Sequence, residues 1–149
     1  MNHTDSEKHH SDESYRVEEQ IGFLLRKAHQ KASSIFQSQF SDYQITPTQY
    51  SAMCKLKDEG ELSQNHLGRL TAMDPATIQG VTRRLIERGL VETRADEIDK
   101  RRMQLRLTQA GSDLIDTLIE KGRIVTKKTM SPLSEEERET FLSLLKKLS

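Results

Sequence analysis

The sequence concentrates groups that bind anions in the short segment 99–102, which reads DKRR. Guanidinium and ammonium groups bind phosphate oxygens, and an adjacent carboxylate can hold one guanidinium in a fixed orientation. Apolar residues alternate with polar ones on both sides, over residues 90–94 and 103–107, and this pattern predicts a β-hairpin. The charged segment would then form the exposed tip of the hairpin.

A second set of candidate residues lies on a helix directly ahead of the hairpin. Asp74, which precedes a proline, is typical of a helix start, and Gly89 is typical of a helix end. Ile78, Val81 and Leu85 fall on one face at helical spacing, which predicts that this face is buried. The residues of this helix that we predict to contact a ligand are Thr77, Gln79, Thr82, Arg83 and Arg84.

A helix followed by a basic hairpin is the arrangement of a winged helix-turn-helix, in which the helix enters the major groove of duplex DNA. Small and polar side chains on the outward face of the helix permit close approach to base edges. The sequence therefore predicts double-stranded DNA as a partner. The hairpin, or wing, would contribute Asp99, Lys100, Arg101 and Arg102, with Lys100 and Arg102 expected on phosphates.

The charge distribution agrees with a local DNA site. The chain has 23 basic and 23 acidic residues, so its formal net charge is zero. Residues 76–108 nevertheless contain eight basic and five acidic residues, whereas residues 1–20 contain two basic and six acidic ones. A basic patch on a neutral protein favours a bounded DNA site over general binding to polyanions.

The chain of 149 residues predicts one domain. It contains no apolar run of about 18 residues and no apolar signal segment, which predicts neither membrane insertion nor export. A single cysteine fits a reducing compartment, so we expect a cytoplasmic protein.

The periodicity of apolar residues predicts a mainly α fold in the order α-α-α-α-β-β-α-α. The first helix would cover residues 17–40, and a short third helix over residues 62–71 would direct Leu67 and Leu70 inward. We predict a disordered tail over residues 1–13 and one domain over 14–149. Within it, residues 14–45 and 109–149 would form dimerisation helices around a winged helix-turn-helix at 46–108.

Residues 61–111 resemble the winged helix-turn-helix of the MarR family of bacterial transcriptional regulators. Three motifs carry the resemblance, namely R-L-x-x-x-G-L-V at 84–91, D-x-R at 99–101 and L-T-x-x-G at 107–111. Each motif alone is weak, but their common order and spacing are specific. The flanking helices extend the resemblance to residues 14–149.

The resemblance implies a homodimer whose terminal helices interlock and whose two lobes bind successive major grooves of a palindromic operator. Members of the family typically repress transcription, and many release DNA when a small, often aromatic and anionic molecule binds between the dimer helices and the DNA lobe. The resemblance also implies that Arg101 reaches the minor groove and that Asp99 orients it. A guanidinium is favoured in a narrow minor groove.

The ligand cleft would be lined by the first, second and fifth helices. Residues on and beside the first two offer groups that an aromatic acid needs, which are ring faces and a cation or donor for the carboxylate. We predict Arg16 as the cation and His29 as a hydrogen-bond partner of the ring. The candidate ligand-binding residues are Tyr15, Arg16, His29, Tyr43 and Tyr50.

The sequence leaves open alternatives to the release of DNA by a small ligand. The protein could bind DNA independently of ligands, or under control of a partner protein through its acidic tail, or it could sense oxidants through Cys54. Cys54 shares an apolar stripe with Tyr50 and Met53, which is typical of a small buried residue. No histidine spacing indicates a metal site, and no nucleophile elbow, phosphate loop or HExxH motif occurs. We therefore predict no metal, no cofactor and no enzymatic activity.

Overall fold

The computed structural model describes residues 14–149, so the tail predicted for residues 1–13 lies outside the described part. Within that part the order of helices and strands is the predicted one. The helices are α1 (Ile21–Phe40), α2 (Pro47–Glu59), α3 (Gln64–Leu70), α4 (Pro75–Glu87), α5 (Gln109–Thr129) and α6 (Glu135–Lys147). Between α4 and α5, strands β1 (Val91–Ala95) and β2 (Met103–Leu107) form an antiparallel hairpin. The predicted mainly α winged-helix fold is confirmed.

Side-chain caps fix where most helices begin. The Thr46 hydroxyl accepts from the Gln49 N–H at 3.3 Å, and the Gln49 side chain accepts from the Thr46 N–H at 3.2 Å. Ser134 and Glu137 form a second reciprocal pair at the start of α6. Each cap satisfies an N–H that has no partner within its helix. Single side-chain caps are made by Ser63, Asp74 and Thr108.

Three element boundaries differ from the prediction. The helix α1 begins only at Ile21, because Gln20 has an extended backbone that separates it from a 3-10 turn over Val17–Glu19. The helix α3 is shorter than predicted, since Leu62 pairs with Leu105 of β2 in an isolated bridge. Strand β1 begins one residue late, because the N–H of Leu90 still donates to α4.

The core of the DNA-binding lobe, residues 46–108, lies between α2, α3, α4 and the hairpin. Ile78, Val81 and Leu85 of α4 are buried, as their spacing predicted. Leu67 of α3 is also buried, but Leu70 is 38% exposed, so the prediction that it faces inward is wrong. Leu70 is the last residue of α3.

The terminal helices carry apolar residues that the single chain does not cover. No residue of α6 is buried, and the start of α1 is equally open. The exposed apolar residues of these regions are Tyr15, Val17, Ile21, Leu24, Leu25, Phe141, Leu142, Leu144 and Leu148. Apolar surface of this extent marks a contact with another molecule. It lies on the helices for which dimerisation was predicted.

Candidate DNA-binding surface and effector cleft

The helix α4 presents a polar face to solvent opposite its buried face. Its capping residue Asp74 accepts from the Thr77 N–H at 2.8 Å and from the Thr77 hydroxyl at 2.9 Å. The bond to the Thr77 backbone, followed by the bond to its side chain, lowers the pKa of Asp74. Gln79, Arg83 and Arg84 are exposed on the following turns. Four of the five residues predicted on this helix therefore share one exposed surface.

Thr82 does not belong to that surface. Its side chain is buried, and its hydroxyl donates within the lobe, with the Ile78 carbonyl and the Gln64 side-chain oxygen both at 2.9 Å. A hydroxyl has one proton to donate, and both of these acceptors belong to the lobe. The prediction that Thr82 contacts DNA is therefore wrong, and its side chain instead joins α4 to the start of α3.

The wing tip holds Arg101 beside Asp99. The Arg101 Nε and the Arg101 backbone N–H both approach the same Asp99 oxygen, at 3.3 and 3.1 Å. The side chain of Arg101 is 93% exposed. Its terminal nitrogens therefore face solvent, while its Nε and backbone N–H are restrained by Asp99. Arg102 lies 3.8 Å from the other oxygen of Asp99. This is the relation between Asp99 and Arg101 that the resemblance implies.

Asp96 builds the turn that carries this pair, and it was not among the predicted site residues. Its carboxylate accepts from the backbone N–H of Ile98 at 2.8 Å and from the Gln104 side chain at 3.1 Å. These bonds, the backbone one first, lower the pKa of Asp96. An Asp that bonds the N–H two residues ahead is a known turn signal, so the sequence could have indicated it.

Two of the basic residues counted in this region support the wing from within. Arg94 Nε lies 3.1 Å from the Glu61 carboxylate, and Arg106 Nε lies 2.7 Å from that of Glu92. Arg106 also lies 3.8 Å from Glu61, which precedes α3. These carboxylates offset the two charges locally. The other basic residues of α4 and the wing tip are exposed, with Arg83 Nε 4.0 Å from the Glu87 carboxylate on the same helix. They are Arg83, Arg84, Lys100, Arg101 and Arg102.

A pocket with a volume of about 430 Å³ lies between α3 and the wing. Its lining includes residues that were not predicted from the sequence. Arg69 and Asn65 of α3 are exposed there, opposite Arg102 of the wing. In helix-turn-helix proteins the first helix crosses the DNA backbone, so polar and basic residues of α3 are placed for phosphates. The position of Arg69 on the first helix of the predicted helix-turn-helix could therefore have indicated a phosphate contact from the sequence alone.

The structure separates the residues predicted for effector binding. Tyr15 and Arg16 precede α1, whereas Tyr43 follows it, and a helix of 20 residues is about 30 Å long. One small molecule cannot touch both ends, so the five residues do not form one pocket within a single chain. The Arg16 guanidinium lies 2.7 Å from the carboxylate of Glu18, in a solvent-exposed pair. Exposed pairs of this kind are weak, so a ligand carboxylate could replace Glu18.

A cavity of about 470 Å³ lies between α1 and the start of α2, and we call it the connector cavity. This volume is within the range of small-molecule sites. His29 adjoins it through Ser33, whose hydroxyl lies 3.4 Å from the His29 Nε2. Tyr50 stands behind Phe40, one wall of the cavity, at 5.0 Å between ring centroids. The lining residues are Ser33, Phe36, Gln37, Phe40, Ser41, Gln44, Ile45, Thr46 and Pro47. Among these described residues there is no cation.

Tyr50 and Cys54 form a half-buried pair beside this cavity. Burial raises the pKa of the Cys54 thiol, and burial followed by the neighbouring Cys54 raises the pKa of Tyr50. Oxidants react with the thiolate, so a raised pKa protects Cys54. Half-burial and a raised pKa therefore favour a packing role for Cys54 over the redox alternative.

The described residues 14–149 contain no cluster of three His, Cys, Asp or Glu side chains that could hold a metal ion. Over the same residues, no helix is both long enough and apolar enough to cross a membrane.

The exposed face of α4, the basic wing and the lobe that joins them define a winged helix-turn-helix protein. The family model described as the MarR family matches residues 45–103. The transcriptional repressor NicR of Pseudomonas putida is 42% identical over 90% of this chain and 85% of its own length. The chain belongs to the MarR family.

Solved structures show the same likeness. A probable transcriptional regulator from Pseudomonas aeruginosa is 42% identical with a TM-score of 0.85, over 90% of this chain and all of its own. BpsR of Bordetella bronchiseptica is 34% identical with a TM-score of 0.86, over 90% of this chain and 96% of its own. Its structure is described as a mechanism for regulation of its DNA binding by 6-hydroxynicotinic acid.

Proposed function

We propose that the protein is a homodimeric repressor that binds a specific DNA sequence and releases it when a small aromatic acid binds. It acts in the cytoplasm as a regulator and not as an enzyme. The observation that carries the DNA-binding part is the exposure of polar and basic side chains on α4 and at the tip of the wing that follows it. There, Arg83 and Arg84 lie on the helix face that carries Gln79, and Arg101 projects from the wing tip.

Three groups of residues make different contacts with the DNA. Thr77, Gln79 and Arg83 on the outward face of α4 read base edges in the major groove. Arg101 enters the adjacent minor groove, held by Asp99. Lys100 and Arg102 contact phosphates, which contribute affinity that depends on salt but not on sequence.

The relatives support both repression and the effector class. NicR is named as a repressor, and 6-hydroxynicotinic acid is the molecule named for BpsR. That molecule is a small aromatic acid, the class expected for this chain from its family resemblance. We therefore propose 6-hydroxynicotinic acid or a close pyridine carboxylate as the effector.

The effector site is composed of both subunits. Within one chain, Arg16 and Tyr43 flank opposite ends of α1, a helix about 30 Å long, and no cation lines the described connector cavity. A dimer built on the apolar ends of α1 and α6 can bring the two together. The acid would then bind near His29 and Tyr43 of one subunit, with its carboxylate on Arg16 of the partner subunit.

An equilibrium titration tests this proposal. An operator selected from random duplexes is labelled, and its dissociation from the protein is followed by fluorescence anisotropy as 6-hydroxynicotinic acid is added. We expect affinity to fall about a hundredfold at saturation, which corresponds to about 2.7 kcal/mol of coupling. The corresponding amide, which lacks the negative charge, serves as the ligand control.

A variant pair then tests the site. Arg16→Gln should lose most of the response, whereas Lys27→Gln, an exposed cation on α1, should keep it. If no aromatic acid releases the DNA at millimolar concentration, the effector part is wrong. If no duplex is selected, the DNA-binding part is wrong.

A further inference from the structure

The helix that reads DNA is bonded directly to the segment that joins α1 to α2. Arg88, which ends α4, donates from Nη1 to the Gln44 carbonyl at 2.7 Å and from Nη2 to the Tyr43 carbonyl at 2.8 Å. The two acceptors are consecutive in the chain but lie 44 and 45 residues before Arg88. A planar guanidinium with two such bonds fixes both the distance and the orientation of the parts it joins.

The segment that receives these bonds, residues 41–46, contains one residue with an unusual backbone, and we call this segment the connector. Gln44 has a left-handed backbone with φ of 53° and ψ of 41°, which residues with a Cβ seldom adopt. Such a conformation persists only where the surroundings hold it. Gln44 also lines the connector cavity, so the cavity, the connector and α4 meet at one residue.

We propose that Arg88 is a positioning residue that transmits the conformation of the connector to α4. This inference rests on the proposed DNA-binding function and assigns Arg88 a part in it. Both terminal nitrogens of Arg88 donate to protein carbonyls, so Arg88 acts inside the subunit although it is one of the basic residues of this region. A shift of the connector on effector binding would turn α4 and move Gln79, Arg83 and Arg84 away from the DNA.

A double-mutant cycle without effector tests this role. The dissociation constant of the operator is measured for wild type, Gln44→Val, Arg88→Met and the double variant. Gln44→Val keeps the carbonyl but disfavours the left-handed backbone, because a β-branched residue rarely adopts it, and we expect it to weaken operator binding by roughly five- to tenfold. In the Arg88→Met background the same change should alter the constant by less than about twofold. Additive effects, or no effect of Gln44→Val in wild type, would overturn the proposal.

Arg88→Lys is the matched variant, because it keeps the charge but cannot make two parallel bonds. We expect the substitution at Gln44 to change the operator dissociation constant as little in Arg88→Lys as in Arg88→Met. If it weakens binding in Arg88→Lys as much as in wild type, the proposal is also overturned. Circular dichroism melts verify folding, and the Lys cycle replaces the Met cycle if Arg88→Met unfolds.

A titration with 6-hydroxynicotinic acid separates the possible failures. We expect release to fall from about a hundredfold in wild type to less than about tenfold in Arg88→Lys. Wild type that fails to bind any operator contradicts the proposed function. Wild type that binds but ignores the acid contradicts the effector class alone, and the cycle still decides the role of Arg88.

Discussion

Arg101 is the residue whose removal should change DNA binding most selectively. Its side chain is almost fully exposed and is restrained by Asp99. Arg101→Ala should cost about 1–3 kcal/mol of operator binding, with the largest loss where the minor groove is narrow. Anisotropy titrations with operators of differing A·T content measure this. An intact affinity and footprint would show that the wing does not read the minor groove.

Lys100 is the matched control for Arg101 because it is exposed on the same turn. If it contacts phosphate, Lys100→Ala should weaken binding to all duplexes alike. It should also flatten the dependence of log affinity on log salt by about one unit. Selective loss at one operator would instead make Lys100 a base-reading residue.

Cys54 tests the redox alternative. Because burial raises the pKa of its thiol, Cys54 holds less thiolate at a given pH than an exposed cysteine, and the fraction rises only as pH rises. We expect slower alkylation by iodoacetamide at pH 8 in the folded than in the unfolded protein. Operator affinity should be unchanged by peroxide, with Cys54→Ser as the reference. If peroxide releases the operator from wild type but not from Cys54→Ser, the redox hypothesis is supported instead.

Sequence showed which residues could bind DNA but not which of them are already engaged. The exposed cations of α4 and the wing tip follow from helical spacing and from the hairpin pattern. Thr82 was misassigned because a small polar residue beside a predicted buried stripe can point either way. The pairing of Arg94 with Glu61 depends on a contact between residues 33 apart in the chain, which no local pattern reveals.

At the scale of elements, the junction between the wing and α5 depends on the absence of one side chain. A Cβ on Gly111 would lie 2.0 Å from the Leu90 carbonyl oxygen, which is backbone and cannot move freely. Gly111→Ala should therefore lower the free energy of unfolding by about 1–3 kcal/mol or more. Urea denaturation measures the change.

Gly80 provides the control for this prediction, since a Cβ there would meet nothing within 4 Å. Gly80→Ala lies inside α4, and it should raise the free energy of unfolding by about 0.5–1 kcal/mol. If Gly111→Ala is as stable as Gly80→Ala, the close approach of α5 to Leu90 is not maintained in solution.

Elements were predictable where periodicity and caps agree. The α4 helix has a capping Asp74, a buried stripe and a terminal glycine, and its start, its end and the burial of Ile78, Val81 and Leu85 agree with the prediction, whereas Thr82 does not. The predicted start of α1 was wrong because the helical spacing of apolar residues continues across Gln20, although the backbone there is extended. Leu62 failed because its pairing with Leu105 is a tertiary contact that overrides local helical preference.

At the scale of the whole molecule, the uncovered apolar faces of α1 and α6 predict a stable dimer. Light scattering should give twice the chain mass of 17.1 kDa at micromolar concentration. Leu144→Glu, which places a charge on the exposed apolar stripe of α6, should shift the mass towards the monomer. Ser143→Glu on the same helix should not. A monomeric wild type would remove the basis for a two-subunit effector site.

The effector site shows where sequence reasoning has to stop. Residue types indicated Arg16 and Tyr43 as ligand groups, and nothing local showed that they flank opposite ends of α1, a helix about 30 Å long. Only the arrangement of two chains can bring such residues together, and that arrangement depends on surfaces far apart in the sequence.

Footprinting of the selected operator tests the central claim most directly. A dimer of winged helix-turn-helix lobes should protect two symmetric half-sites about one helical turn, or about 10–10.5 base pairs, apart. Protection at the outer minor grooves should be lost in Arg101→Ala, while the half-sites keep their spacing. A single asymmetric protected segment, or binding without any sequence preference, would contradict the account.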